Sequence, residues 1–317
     1  MNKLFLAWGI GFAVTAILVP ILIPILRRLK FGQQIREVGP AGHKKKAGTP
    51  IMGGLAFMAA TTIAALVFLP QNKEILPILL VSWGYGLIGV ADDALIIIRK
   101  KNDGLKPRFK LLLQITVTVL FIWYRLAKVP EATVIRLPFT QVTWNMPVWL
   151  YIVLLFFLCL GTDNAVNLND GLDGLCGSVT MVVALFVTAL SVKYGAGIEL
   201  FSAALSGALL GYLLYNSNPA MIFMGDTGSL YLGGFVAASF VTLAQPFMIL
   251  IAGFIYFAEI VSVMMQVSYF RLTHGKRIFR MTPIHHHFEL GGWSEPRVVI
   301  VFSAITVCLC IVSYLGA

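Results

Sequence analysis

Ten apolar runs, most of them about the length of a membrane-crossing helix, follow one another along this chain with only short polar breaks between them. A helix needs about 20 apolar residues to cross a hydrocarbon core roughly 30 Å thick. Bounding the runs by charge, proline and glycine gives spans near 4–26, 51–70, 75–98, 111–127, 148–162, 175–192, 198–215, 228–244, 247–270 and 297–316. The 317 residues then leave little room for a separate soluble domain. The sequence therefore predicts an all-α polytopic membrane protein of about ten transmembrane helices, with residues 1–317 forming a single transmembrane domain. Only 12% of the residues are charged, against roughly 25% in an average soluble domain, and the mean hydropathy is +0.86. Lipid is the solvent this composition fits. The first run follows Lys3, carries Pro20 and Pro24, and ends in Arg27 and Arg28 with no small-residue cleavage site, so it is expected to be a retained helix and not a signal peptide.

The net charge of +10 is explained by where the charges fall. Counting loops alternately, one side receives Arg27, Arg28, Lys30, Arg36 and Lys44 to Lys46, then Arg99 to Lys101, Lys106, Arg108 and Lys110, then Arg271, Lys276, Arg277, Arg280 and Arg297. The other side receives Lys3, Lys73, Arg125, Lys128, Arg136 and Lys193. The positive-inside rule puts the first set in the cytoplasm and both termini outside. No basic domain interleaved with aromatics is present, so nucleic acid is not an expected partner. Residues 128–147 read as short alternating strands at the membrane surface. Cys159, Cys176, Cys308 and Cys310 include no C-x-x-C pair and are expected to be packing residues.

Ionisable groups at the ends of spans are costly, about 2.5 to 3.5 kcal/mol at a helix centre on insertion scales, and mark candidate sites. Asp92 and Asp93 end the third span; Asp163, Asn164, Asn167, Asn169, Asp170 and Asp173 fill the loop after the fifth; Asn216, Asn218 and Asp226 fill the loop after the seventh; His285 to His287 follow the ninth. All fall on the expected cytoplasmic side, where they can converge on one cleft. Adjacent aspartates on a helix point about 100° apart, so Asp92 and Asp93 cannot serve one ligand identically. Asp226 precedes a helix start and suits either a hard cation or the helix N-cap. Consecutive histidines cannot all face one ion, and hydrogen bonding to phosphate or sugar suits them better. Glu259, inside the ninth span, is left open between satisfying a neighbouring helix and facing a polar groove.

In this order and between these spans, the motifs Ala91-Asp92-Asp93, NAVNLNDGLDGL (164–175), NSNPAMIFMGDTGSL (216–230) and PIHHHFE (283–289) resemble the polyprenyl-phosphate N-acetylhexosamine-1-phosphate transferase superfamily. Within it they are similar to the phospho-N-acetylmuramoyl-pentapeptide transferases. The resemblance begins near Lys44 in KKKAGTPIMGG and covers nearly the whole chain. It implies a Mg2+-dependent enzyme of the bacterial cell membrane that carries phospho-MurNAc-pentapeptide from UDP-MurNAc-pentapeptide to undecaprenyl phosphate, forming lipid I and UMP. It implies Asp92, Asp93, Asp226, His285 and His286 as catalytic, with Asp226 holding the metal. For substrate binding it implies Lys45, Lys46, Lys110, Asn164, Asn167, Asp170, Gly171, Leu172, Asp173, Asn216, Phe223 and His287, with Phe223 stacking on uracil. A homodimer is implied as well. Two rivals remain at this stage: a sister transferase using UDP-GlcNAc, and a secondary transporter. A transporter would carry its ionisable groups near the bilayer midplane, often within inverted repeats, and no repeat is visible here.

Overall fold

The computed structural model describes residues 2–29, 46, 48–70, 72–99, 104–140 and 142–317. Its helices are α1 (Asn2–Arg28), α2 (Gly54–Phe68), α3 (Ile75–Arg99), α4 (Pro107–Lys128), α5 (Val148–Leu168), α6 (Leu175–Tyr194), α7 (Glu199–Asn216), α8 (Gly225–Thr242), α9 (Ile249–Ala252), α10 (Phe254–Leu272), α11 (Ile284–Glu289) and α12 (Glu295–Leu315). Among the described residues, α1, α3, α4, α5, α6 and α12 are each long and apolar enough to cross a membrane. The protein is an all-α membrane protein with, among the described residues, one small hairpin.

The hairpin pairs β1 (Val134–Arg136) with β2 (Thr143–Asn145) in antiparallel register, Ile135 opposite Trp144, where alternation was expected. Arg136 N–H donates to the Ala244 carbonyl at 2.8 Å and Phe139 N–H to the Gly316 carbonyl at 2.6 Å, so the hairpin ties the far ends of α8 and α12 together.

The ninth apolar run departs from a simple span. A 3-10 turn, Pro246–Met248, leads into α9, and α10 then leaves at 83° to that segment. The break falls at Gly253, whose N–H bonds back to the Ile249 carbonyl at 2.8 Å; sharp bends are expected at such residues.

At the centre stands α8, packed against α3, α5, α2 and α6. Every residue from Thr227 to Val241 is buried, and a helix with no polar face belongs inside a bundle. Small residues let its neighbours approach, as helix packing in membranes favours. A Cβ on Gly89 of α3 would collide with the Asp226 carbonyl oxygen. Substituting Gly89→Ala is expected to push α3 off the start of α8 and to cost about 1–3 kcal/mol. Thermal unfolding in detergent checks this, and an unchanged Tm would show that the contact yields without cost.

Candidate active site

Helices α3, α4 and α8 bring four charged side chains to one end of the bundle, and the end of α5 adds an amide. Oxygens of Asp92, Asp93 and Asp226 lie within 4.8 Å of one another. Lys110, in the first turn of α4, pairs through Nζ with Asp226 Oδ2. Asn167, the penultimate residue of α5, donates through Nδ2 to Asp226 Oδ1 at 2.9 Å and to Ser229 Oγ at 2.8 Å. Asp92 Oδ1 accepts the Leu105 N–H at 2.9 Å.

Asp93 has a different set of partners. Its Oδ1 accepts the Asp226 N–H at 3.2 Å, and its Oδ2 accepts the Thr227 N–H at 2.9 Å and the Thr227 hydroxyl at 2.7 Å. A carboxylate from α3 thus caps the N-terminus of α8, where the helix dipole favours negative charge. The N-cap alternative for Asp226 is not realised, since no side chain at the start of α8 caps it. Gly225 makes room for this arrangement: its φ is +69°, and a Cβ there would collide with the Asp93 carboxylate.

Several expected loop residues sit on a helix instead: Asp163, Asn164 and Asn167 belong to α5, which continues to Leu168. Asp92 and Asp93, expected at the end of the third span, lie about two turns before the end of α3. The helices run on because the polar residues find partners across the bundle. Asp163 is fully buried and accepts from Gln114 Nε2 at 2.7 Å. Asn164 Nδ2 donates to the Leu160 carbonyl of its own helix at 2.8 Å.

The true turn, residues 169–174, is held from several sides. Asp173 Oδ1 accepts Lys46 Nζ at 2.7 Å, while its Oδ2 accepts Asn218 Nδ2 at 3.1 Å and the Ala220 N–H at 3.0 Å. Lys46 Nζ also reaches Glu295 Oε2, at 2.7 Å. Asn216 accepts the Gly174 N–H at 3.1 Å and donates to the Ile222 carbonyl at 2.8 Å. Leu172 is buried, and Phe223 is half-buried while its backbone bonds to Pro50 and Gly53. Lys44 and Lys45 lie outside the described residues.

The histidines divide. His285 is fully buried, with Nδ1 3.0 Å from Glu259 Oε1, and its N–H donates to Glu259 Oε2 at 3.4 Å. The opposite edge of the ring lies against Gly171, where a Cβ would collide with His285 Nε2. Glu259 therefore serves the short helix α11. His286 Nδ1 is 3.0 Å from Glu289 Oε2, and His287 Nδ1 accepts the Arg280 N–H at 3.1 Å. Gln114, Leu105, Ser229 and Glu295 escaped the sequence reading. A glutamine one turn from Lys110, with Thr118 a turn further along the same face, is the signal that could have found the first; the others carry no local mark.

All the candidate ligands for a cation are oxygens, a donor set that suits a hard divalent ion. Three carboxylates share one lysine, so the cluster has negative charge to spare for such an ion. Asp226 and Asp92 are the better donors, because Asp93 spends both oxygens on the N-terminus of α8, whereas Asp226 is held by the side chains of Lys110 and Asn167, which an arriving ion can displace.

A helical membrane bundle that gathers three carboxylates and a lysine at one end holds the groups that phosphoryl transfer asks for. Residues 75–244 match the family described as glycosyl transferase family 4. The chain is 47% identical over its full length to the full-length phospho-N-acetylmuramoyl-pentapeptide-transferase of Clostridium kluyveri. It is 46% identical to that of Clostridium acetobutylicum, covering 97% of this chain and 96% of the relative. With that of Acetivibrio thermocellus it shares 44% identity, covering 96% and 92%. The chain belongs to the phospho-N-acetylmuramoyl-pentapeptide-transferase family.

Asp170, in the turn after α5, has its pKa raised well above the usual carboxylate range, first by burial and then by Asp226, Asp93 and Asp173. The folded-state value exceeds the unfolded one, so the stability brought by protonated Asp170 is complete below the ordinary carboxylate range. It is lost as pH rises through the raised value. Asp170→Asn is neutral throughout. At neutral pH without divalent cation its Tm in detergent is expected to exceed that of the unsubstituted protein by about 2 °C or more, the gap closing as pH falls. A Tm at or below that of the unsubstituted protein at neutral pH contradicts this account.

Proposed function

We infer that the protein transfers phospho-MurNAc-pentapeptide from UDP-MurNAc-pentapeptide to undecaprenyl phosphate, giving lipid I and UMP in the first membrane step of peptidoglycan synthesis. One observation carries the reading: Asp92, Asp93, Asp226 and Lys110 meet at one end of a bundle whose full-length relatives bear the name of that transferase. The topology that goes with it has about ten spans, both termini outside the cell, and this end of the bundle at the cytoplasmic face. There the head of a lipid phosphate meets a soluble nucleotide. A homodimer, implied by the resemblance alone, completes the proposal.

Phosphoryl transfer asks for positioning and charge neutralisation more than for covalent help from protein. Mg2+, held by Asp226 with Asp92 beside it, would neutralise the diphosphate when bound. Lys110 adds a fixed positive charge where the phosphates lie. The Asp170–Asp173 turn and Phe223 form the nucleotide pocket, with Phe223 against uracil. Asp173 and Asn216 shape that pocket, since both side chains are spent on its backbone. An oxygen of the lipid phosphate attacks the phosphorus that bears the sugar. The new P–O bond forms as the bond to the UMP phosphate breaks, and UMP leaves with the electron pair.

Asp92 orients or deprotonates the attacking phosphate. Direct attack is preferred over an aspartyl-phosphate intermediate because Asp93 spends both oxygens on α8 and Asp226 is assigned to the metal, while Asp92 is assigned to the attacking phosphate.

Purified protein is expected to release UMP from UDP-MurNAc-pentapeptide in the presence of undecaprenyl phosphate, but not from UDP-GlcNAc. Asp226→Asn and Lys110→Met should lower kcat by about 100-fold or more. Rapid quench with radiolabelled nucleotide sugar and no lipid should leave the protein unlabelled; covalent label would replace direct attack by a phospho-enzyme route.

A further inference from the structure

Asp163 has no part in the chemistry above, yet a carboxylate with no exposure inside a membrane bundle is expensive to keep. Its one side-chain hydrogen-bond partner among the described residues is Gln114, itself only 1% exposed, at 2.7 Å. The second oxygen, Oδ1, finds no hydrogen-bond partner among the described residues. It faces Gly233 of α8, where a Cβ would lie 2.6 Å from it, so the central helix leaves space for the acid.

The spacing gives the pair a purpose. Gln114 follows Lys110 by four residues on α4, and Asp163 precedes Asn167 by four on α5. Each therefore sits on the same helix face as a residue that touches Asp226, about 6 Å deeper into the bundle. The inner face of α4 is tied at successive turns to three different helices: Lys110 to Asp226 of α8, Gln114 to Asp163 of α5, and Thr118 to Tyr85 of α3, the last at 2.6 Å. This helix packs chiefly on α3 and α5 and leaves Leu111, Leu112, Val119, Leu120 and Trp123 exposed to the surroundings. Apolar packing on so little of its surface fixes its rotation and depth weakly, whereas a buried polar pair fixes register.

We propose that Gln114 and Asp163 are a positioning pair whose hydrogen bond sets Lys110 and Asn167 about Asp226, an inference that rests on the transferase reading for its kinetic consequence. The bond, and not the negative charge, carries the effect. Gln114→Leu is expected to lower kcat by roughly 10- to 100-fold. KM for UDP-MurNAc-pentapeptide should stay within about twofold, because the nucleotide turn is held by separate contacts. Asp163→Asn, which keeps an acceptor for Gln114, should stay within about threefold of the unsubstituted kcat. Combining Gln114→Glu with Asp163→Asn reverses donor and acceptor and should recover most of the activity lost in Gln114→Leu. A merely structural role would not produce that recovery.

Binding of Mn2+ alone, followed by electron paramagnetic resonance, supplies a readout independent of turnover. Loosening Lys110 from Asp226 removes a competing cation, so Gln114→Leu should bind Mn2+ about threefold more tightly or better. Unchanged kcat and Mn2+ affinity in Gln114→Leu would overturn the proposal. So would an Asp163→Asn variant as impaired as Gln114→Leu, or a reversed pair without recovery. Failure of the unsubstituted protein to release UMP would refute the transferase reading instead, and the Mn2+ comparison would still decide the role of the pair.

Discussion

A helix that begins inside a membrane bundle exposes N–H groups that no water reaches, and each must find an acceptor in the protein. In this chain the acceptor is Asp93, delivered from α3 to the first turn of α8. Much else follows from that contact. The two helices must approach closely, which accounts for Gly89 against the Asp226 carbonyl and for Gly225 with its φ of +69°. Asp226, in the same first turn, is then set beside the cap. Asp92, the next residue back along α3, is turned about 100° away and meets Leu105.

The crowding of three carboxylates is thus partly a consequence of how α8 is held. Like charges so close repel, and the protein offsets this with the α8 dipole on Asp93, with Lys110 and Asn167 on Asp226, and with a backbone N–H on Asp92. Lys110 is a single positive charge among three negative ones. A divalent ion bound among these oxygens would relieve the remainder, so the same crowding that strains the cluster would favour a cation there.

Much of this was legible in the sequence because it rests on local pattern. Apolar run length gave the helical membrane architecture, and alternation gave the hairpin near residues 134–145. The polar motifs named the residues that gather around Asp226. Helix ends were less legible: Asp163, Asn164 and Asn167 read as loop because they are polar, whereas α5 continues through them on partners from α4 and α8. Long-range pairs left no trace. Nothing near Asp93 announces that its oxygens will be spent on Thr227, 134 positions away. Nothing near Glu259 says that it belongs to His285. The bend at Gly253 was hidden for a similar reason, since an apolar run reads the same whether it is straight or broken.

That bend matters to the site through the turn at 169–174. Beyond it, α10 packs on α5, the helix that leads into this turn, and presents Glu259 to His285, whose ring closes on Gly171. From another direction Lys46 joins Asp173 to Glu295 at the start of α12. The turn is therefore clamped by residues from the early part of the chain and from its last third, neither adjacent to it in sequence. Glycines and amides in a turn are conformationally free, and a ligand that had to order them would lose affinity to that ordering. Clamping removes the freedom before any ligand arrives. On this argument the histidine motif acts on the turn at 169–174 by fixing its shape, because the His285 imidazole is wholly enclosed by Glu259, Gly171 and their neighbours.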